Sequence, residues 1–322
     1  MLVVFRPSLT DYCYLLTEKK VSYKAKLFTA LFLVYIVWGS TYLGVKYAIQ
    51  ELPPLLLTGI RFGLGGLLLF VFTLLRGQKL PQKEQFYGSS FLGILLSGIG
   101  TSSVAYAILY IPTGVVALLV AMLPLWVFVL DFFLFSKKKP SLLSGAGLLL
   151  GSIGIFSLLN PFDKSVVEEA IPLFPVLVVF AGSIVWGYGT LVGKQTPQVK
   201  GLQGIAVQML AGGVVAIILS LFLEDYTLAI FTTINQTIFW AMAYLIFIGS
   251  YVGYSAFVWL MNNAPPVLTS TYAFVNPVVA LFLGWFFVDE RLTQRSLTAS
   301  IIIIVAVILM TLGRRRMKVE AE

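Results

Sequence analysis

Trp38, Ser40, Thr41, Tyr42 and Lys46 fall within one short stretch, Arg61 follows, and Tyr106, Trp186, Tyr188, Tyr254, Trp259, Tyr272 and Asn276 are spread over the rest of the chain. Indole N–H groups, phenols, hydroxyls and an amide set among apolar residues make surfaces that hold small amphiphilic solutes weakly. Lys46 and Arg61 add positive charge, which suits a carboxylate. Each group also has a plainer reading: the tryptophans pack between helices, Lys46 extends to an interface beside Glu51, and Arg61 does the same or meets a backbone carbonyl. Chemistry that breaks bonds lacks its usual groups. The sequence has no histidine, one cysteine (Cys13) and no paired carboxylates within an apolar stretch, so a membrane-embedded enzyme is the least supported class. For the same reason no metal, cofactor or internal disulfide is expected. Gly98-Ile99-Gly100 lacks the third glycine and the preceding strand of a dinucleotide loop, and no Walker A motif occurs, so ATP is not the direct energy source.

The elements that must position these residues are apolar. The 322 residues are 59% hydrophobic and 11% charged, with a mean hydropathy of +0.94, a composition that belongs in a lipid bilayer. The +8 formal charge does not point to nucleic acid, because the basic residues sit in short clusters such as Lys137–Lys139 and Arg314–Arg316 between apolar runs. A helix needs about 20 residues to cross the hydrocarbon core. Ten candidate spans meet that length, at 27–48, 55–75, 87–110, 113–135, 141–160, 172–194, 201–223, 238–261, 266–288 and 296–313. Trp38 then lies roughly 16 Å into its span and Arg61 roughly 9 Å into its own. Asp131 is the one acidic residue clearly inside a span and is read as marking an interface. Pro124 and Pro277 each remove an N–H within a span, freeing the carbonyls of Val120 and Ala273, and are candidate hinges or plain kinks. Gly59/Gly63, Gly147/Gly151 and Gly249/Gly253 have the four-residue spacing of close helix contacts.

The chain also repeats itself. Trp38-Gly39 and Lys46 recur 148 residues later as Trp186-Gly187 and Lys194, and Pro112 and Pro124 recur 153 residues later as Pro265 and Pro277. The organisation read from this is a tail at 1–26, a first repeat at 27–160, a loop at 161–171, a second repeat at 172–313 and a second tail at 314–322. Of the 22 basic residues, 17 fall on one side if alternate loops are grouped, which places both termini in the cytoplasm and the loop at 161–171 outside. Five spans per half put the second half in the membrane upside down relative to the first, so the fold expected is an all-α integral membrane protein of ten transmembrane helices in two inverted five-helix repeats.

Trp38-Gly39-Ser40-Thr41 with Lys46, Leu52-Pro53-Pro54, Arg61-Phe62, Pro124, Tyr272, Asn276-Pro277 and Asp289-Glu290-Arg291-Leu292-Thr293 resemble the drug/metabolite transporter superfamily, specifically its EamA branch. The likeness covers roughly Leu27 to Gly313. It implies two EamA repeats and carriage of small metabolites, often export of amino acids or related compounds. One departure is visible: Lys137-Lys138 stands where the second half has Glu290-Arg291. With the positive field of Lys46 and Arg61, the reading is a multi-pass carrier of the cell (inner) membrane that exports or exchanges amino acids or related carboxylates by alternating access. Its partners are then lipid and a small-molecule substrate, not nucleic acid, and a monomer suffices. A drug or lipophilic-cation efflux carrier and a passive channel are the alternatives.

Overall fold

The computed structural model describes residues 23–136, 142–159, 171–193, 195–232, 234–264, 269, 272–290 and 292–319. Lys194, Pro265, Arg291, Lys137–Lys139, the terminal residues 1–22 and 320–322 and nearly all of the loop at 161–171 lie outside the described residues. Ten helices account for most of the rest: α1 (Tyr23–Ala48), α2 (Pro54–Leu75), α3 (Lys83–Tyr110), α4 (Thr113–Phe135), α5 (Leu142–Leu159), α6 (Leu173–Val192), α7 (Gly201–Leu223), α8 (Gln236–Asn263), α9 (Tyr272–Val288) and α10 (Gln294–Val319). Helices α1 to α4 and α6 to α8 are long and apolar enough to cross a membrane, and the apolar stretches of α5, α9 and α10 are shorter. The molecule is an all-helical membrane protein.

Helix ends in this chain are finished by side chains reaching across from other helices. Pro53 and Pro54 start α2, where a proline's missing N–H breaks no ladder bond. The first free N–H groups there go to Glu224, just past the end of α7: Leu55 N donates at 2.7 Å and Leu56 N at 3.0 Å. Glu290, just past α9, does the same for α4, accepting from Thr113 N at 3.0 Å and Thr113 Oγ1 at 2.7 Å. A carboxylate at a helix N-terminus meets both the unpaired donors and the positive end of the dipole. Asp289, at φ 53°, takes the left-handed conformation that lets the chain turn back, and Glu290 N donates to Gly284 O at 3.1 Å. Asn235 Oδ1 caps α8 by accepting from Ile238 N at 3.0 Å.

Packing follows the repeat. α2 packs on α7 and α5 on α10; α1 meets α8 and α9, while its counterpart α6 meets α3 and α4. Exchanging the two halves maps each of these interfaces onto itself or onto its twin, as a pseudo-two-fold requires. The α2–α7 contact is close enough that a Cβ on Gly213 would collide with the backbone of Gly63, and one on Gly66 with the backbone of Leu210. Four helices carry wide π turns, at Val34–Trp38 in α1, Ile94–Gly100 in α3, Asp131–Ser136 at the end of α4 and Leu245–Tyr254 in α8. Such turns rotate the side chains that follow them and often mark functional positions.

Candidate functional site

Between the halves lies a cavity of about 90 Å³, continuous with open space outside. Its wall is built from stripes on seven helices. α1 contributes Trp38, Thr41, Tyr42 and Val45, and α3 contributes Thr101, Val104, Ala105 and Ile108 together with Gly100. Both four-residue sets have the i, i+3, i+4, i+7 spacing of one helix face. Arg61 and Phe62 come from α2, Val120 and Leu123 from α4, Gly182, Ser183 and Trp186 from α6, Tyr254 from α8, and Tyr272 and Asn276 from α9. Val45 and Ile108 are the lining residues of α1 and α3 that come last before the loops at 49–53 and 111–112.

Arg61 is the one charged residue among those lining the cavity. It is 4% exposed. Its Nε donates to Ser250 Oγ at 2.9 Å, Ser250 Oγ in turn donates to Leu245 O at 3.0 Å, and the guanidinium carbon stands 4.7 Å from the centre of the Phe62 ring. A Cβ on Gly249 would come within 2.9 Å of Arg61 Nη2, so that glycine is the seat of the guanidinium. A hydroxyl and an aromatic face support a cation without neutralising it, and no carboxylate reaches it among the described residues.

Aromatic rings make the floor. Trp38 meets Trp186 edge-on at 5.6 Å and Tyr272 edge-on at 5.1 Å, and Phe257 lies 4.9 Å from Trp38 and 5.4 Å from Trp186. The two tryptophans differ in their polar ends. Trp38 Nε1 donates to Gly249 O at 3.3 Å, whereas Trp186 Nε1 is buried and meets no acceptor among the described residues. A buried unpaired donor beside a cavity is a ready contact for a solute oxygen. The Asn276 amide, oriented so that its nitrogen donates, reaches Tyr35 O at 3.0 Å and Tyr272 O at 3.2 Å, tying α9 to α1.

Eight of the twelve residues expected at a substrate surface therefore share this cavity: Trp38, Thr41, Tyr42, Arg61, Trp186, Tyr254, Tyr272 and Asn276. Four lie elsewhere. Lys46 is half-buried in the last turn of α1, one position past Val45 and off the lining face. Tyr106 pairs with Tyr110 at 5.1 Å and Phe174 at 6.1 Å, Tyr188 with Phe135 at 6.4 Å, and Trp259 with Tyr23 at 6.1 Å. Pro124 sits just after a break in α4 at Ala121–Met122, where Met122 N turns to Leu119 O (3.2 Å) and Leu125 N to Met122 O (2.9 Å). Val120, whose carbonyl that break releases from the helical ladder, is on the cavity wall. Pro277 lies inside α9 beside Asn276. Ser183 and Thr101 are lining hydroxyls that residue type and depth did not single out; the three-residue step from Ser183 to Trp186 was the available signal. Among the described residues no cluster of three or more His, Cys, Asp or Glu side chains could hold a metal.

An all-helical membrane protein of two similar halves around a solvent-reaching cavity lined by recognition groups has the architecture of a membrane transporter. The model of the EamA-like transporter family matches residues 26–160 and again 173–312, and the chain belongs to that family. It is a membrane transporter and not an enzyme. The chain is 36% identical over 289 residues to the "Uncharacterized inner membrane transporter YedA" of Escherichia coli (strain K12), a match that spans 89% of this chain and 91% of that protein. It is 25% identical over 297 residues to the "Uncharacterized transporter YoaV" of Bacillus subtilis (strain 168), covering 91% of this chain and 99% of the other. A more distant relative, 23% identical over 296 residues and covering 88% and 94% of the two chains, is the "Probable amino-acid metabolite efflux pump" of Escherichia coli (strain K12). One crystal structure has the same fold, with a TM-score of 0.65 at 18% identity over 92% of this chain and 99% of that one.

Proposed function

We propose that this chain is a secondary carrier of the inner membrane that exports or exchanges amino acids or related carboxylates by alternating access, with both termini in the cytoplasm. The observation that carries the substrate class is Arg61, a buried guanidinium lining the cavity with a hydroxyl and a ring as neighbours and no carboxylate among the described residues. A substrate carboxylate supplies the missing countercharge at a place where a charge-assisted bond is little screened. The aromatic floor and the unpaired Trp186 N–H suit the rest of a small amphiphilic solute. The name of the distant efflux relative supports the same class and direction.

The test is counterflow in vesicles. Reconstituted protein should take up a labelled amino acid or related carboxylate faster when unlabelled substrate is loaded on the opposite side, which a passive channel does not do. Arg61→Gln should cut that flux at least about tenfold, the scale of losing a charged hydrogen bond, with the protein still inserted. The aromatic floor would also suit a lipophilic cation through ring faces. Robust transport of quaternary ammonium compounds that is indifferent to Arg61→Gln, with no carboxylate flux across a broad panel, would replace the carboxylate reading by that one.

A further inference from the structure

The two halves correspond residue by residue around the cavity. A shift of 148 carries Trp38 to Trp186, Tyr42 to Thr190 and Val45 to Gly193; a shift of 147 carries Arg61 to Gln208; a shift of 153 carries Ser97, Gly100, Val104 and Ile108 to Ser250, Gly253, Phe257 and Met261. Contacts obey the same mapping. The Trp186 ring lies against Gly100 (2.6 Å from a Cβ placed there) and the Trp38 ring against Gly253 (2.7 Å). Ser250 Oγ accepts from Arg61 Nε, and Ser97 Oγ donates at 3.1 Å to Gln208 O.

What differs is which set lines the cavity. Val45, Val104 and Ile108 border the cavity. Their counterparts are packed: a Cβ on Gly193 would stand 3.0 Å from Met261 Sδ, and Phe257 is wedged against both tryptophans. Gln208, 1% exposed, has its amide closed upon protein, donating to Gln198 Oε1 at 3.1 Å and accepting from Tyr254 Oη at 3.0 Å. Buried polar groups satisfied by one another across helices are what a wetted wall becomes when its helices close.

We infer a second solute cavity, sealed in this structure, at the opposite face of the membrane, lined by Thr190, Gln208, Phe257 and Met261 and sharing Trp38 and Trp186 with the first. This rests on the alternating-access reading above. The second cavity is uncharged where the first is cationic, because Gln208 replaces Arg61. A carboxylate is therefore held by a guanidinium in one state and offered an amide in the other, so half-saturation should be about tenfold lower at the Arg61 face, and Arg61→Gln should remove that difference.

Sidedness of cysteine labelling tests the cavity without knowledge of the substrate. In full-length protein carrying Cys13→Ser, Val45→Cys and Thr190→Cys are made separately and a sulfonated, membrane-impermeant maleimide is applied to right-side-out and inverted vesicles. Val45→Cys should react from one face and Thr190→Cys from the other; Val258→Cys, at the counterpart of the lining Ala105 by the shift of 153, serves in place of the latter if it fails to insert. Failure of both Thr190→Cys and Val258→Cys to react from that opposite face, in protein that still shows counterflow, would overturn the second cavity and leave the carrier standing. Opposite-sided labelling with no carboxylate flux would keep the second cavity and remove the carboxylate reading.

Discussion

Arg61, Trp38 and Trp186 make different contacts at the cavity, and single substitutions separate them. Trp186 Nε1 has no acceptor among the described residues, so Trp186→Phe removes no protein hydrogen bond. The variant should keep wild-type membrane abundance while its apparent substrate affinity falls by about fivefold to tenfold, the worth of one hydrogen bond of about 1 to 1.4 kcal/mol to the solute. Trp38→Phe differs, because it leaves Gly249 O without the indole donor that now reaches it at 3.3 Å. It should lower the detergent unfolding temperature as well as flux. Equal losses of abundance in the two variants would show that both rings serve packing alone. The buried guanidinium is also the residue that depth alone brought to notice, since an arginine about two turns inside a span needs a reason to be there.

At the scale of the element, helix face decided which expected residues reached the site. The lining of α1 follows 38, 41, 42 and 45, and Lys46 lies about 90° from the centre of that stripe, past its Tyr42 edge. Tyr188 comes two positions after Trp186 and so points about 200° away, toward Phe135. Residue type and membrane depth were legible in the sequence; the angle around each helix was not, because an almost wholly apolar span has no polar face to orient it. The π turns compound this, since they shift facing in α1, α3 and α8. The Glu290 cap was equally hidden: the motif around it could be read, but its contact with Thr113, 177 positions away, could not. Glu290→Ala should lower unfolding stability by about 1 to 2 kcal/mol, since it strips α4 of its N-terminal acceptor, and thermal unfolding in detergent checks it. A change within error would mean that the cap is replaced by water.

For the whole molecule, the repeat and the ten apolar segments were written plainly in spacing and composition. The way the halves meet was legible only in part: the Gly59/Gly63 spacing marks a close-contact face on α2, but nothing in the spacing names α7 and Gly213 as its partner. Orientation in the membrane follows from the asymmetry of basic residues. Reporter fusions after residue 139 and after residue 318 should read as cytoplasmic and one within 163–169 as external; a cytoplasmic reading within 163–169 would mean that the halves do not run in opposite directions.

Having one charged group in the cavity lining also gives the carrier an electrical character. When water enters from one side, the membrane voltage drops across the sealed half, so Arg61 changes its position in the field when the open side changes, even if it does not move. At about 2.3 kcal/mol per elementary charge per 100 mV, the empty carrier feels that change. A carrier loaded with a monocarboxylate, which carries a charge of opposite sign across with it, feels less of it. An interior-negative voltage then favours the empty carrier facing inward, ready to load for export. Exchange of one monocarboxylate for another should be nearly indifferent to an imposed potassium diffusion potential, whereas net efflux should respond to it, and Arg61→Gln should alter that response.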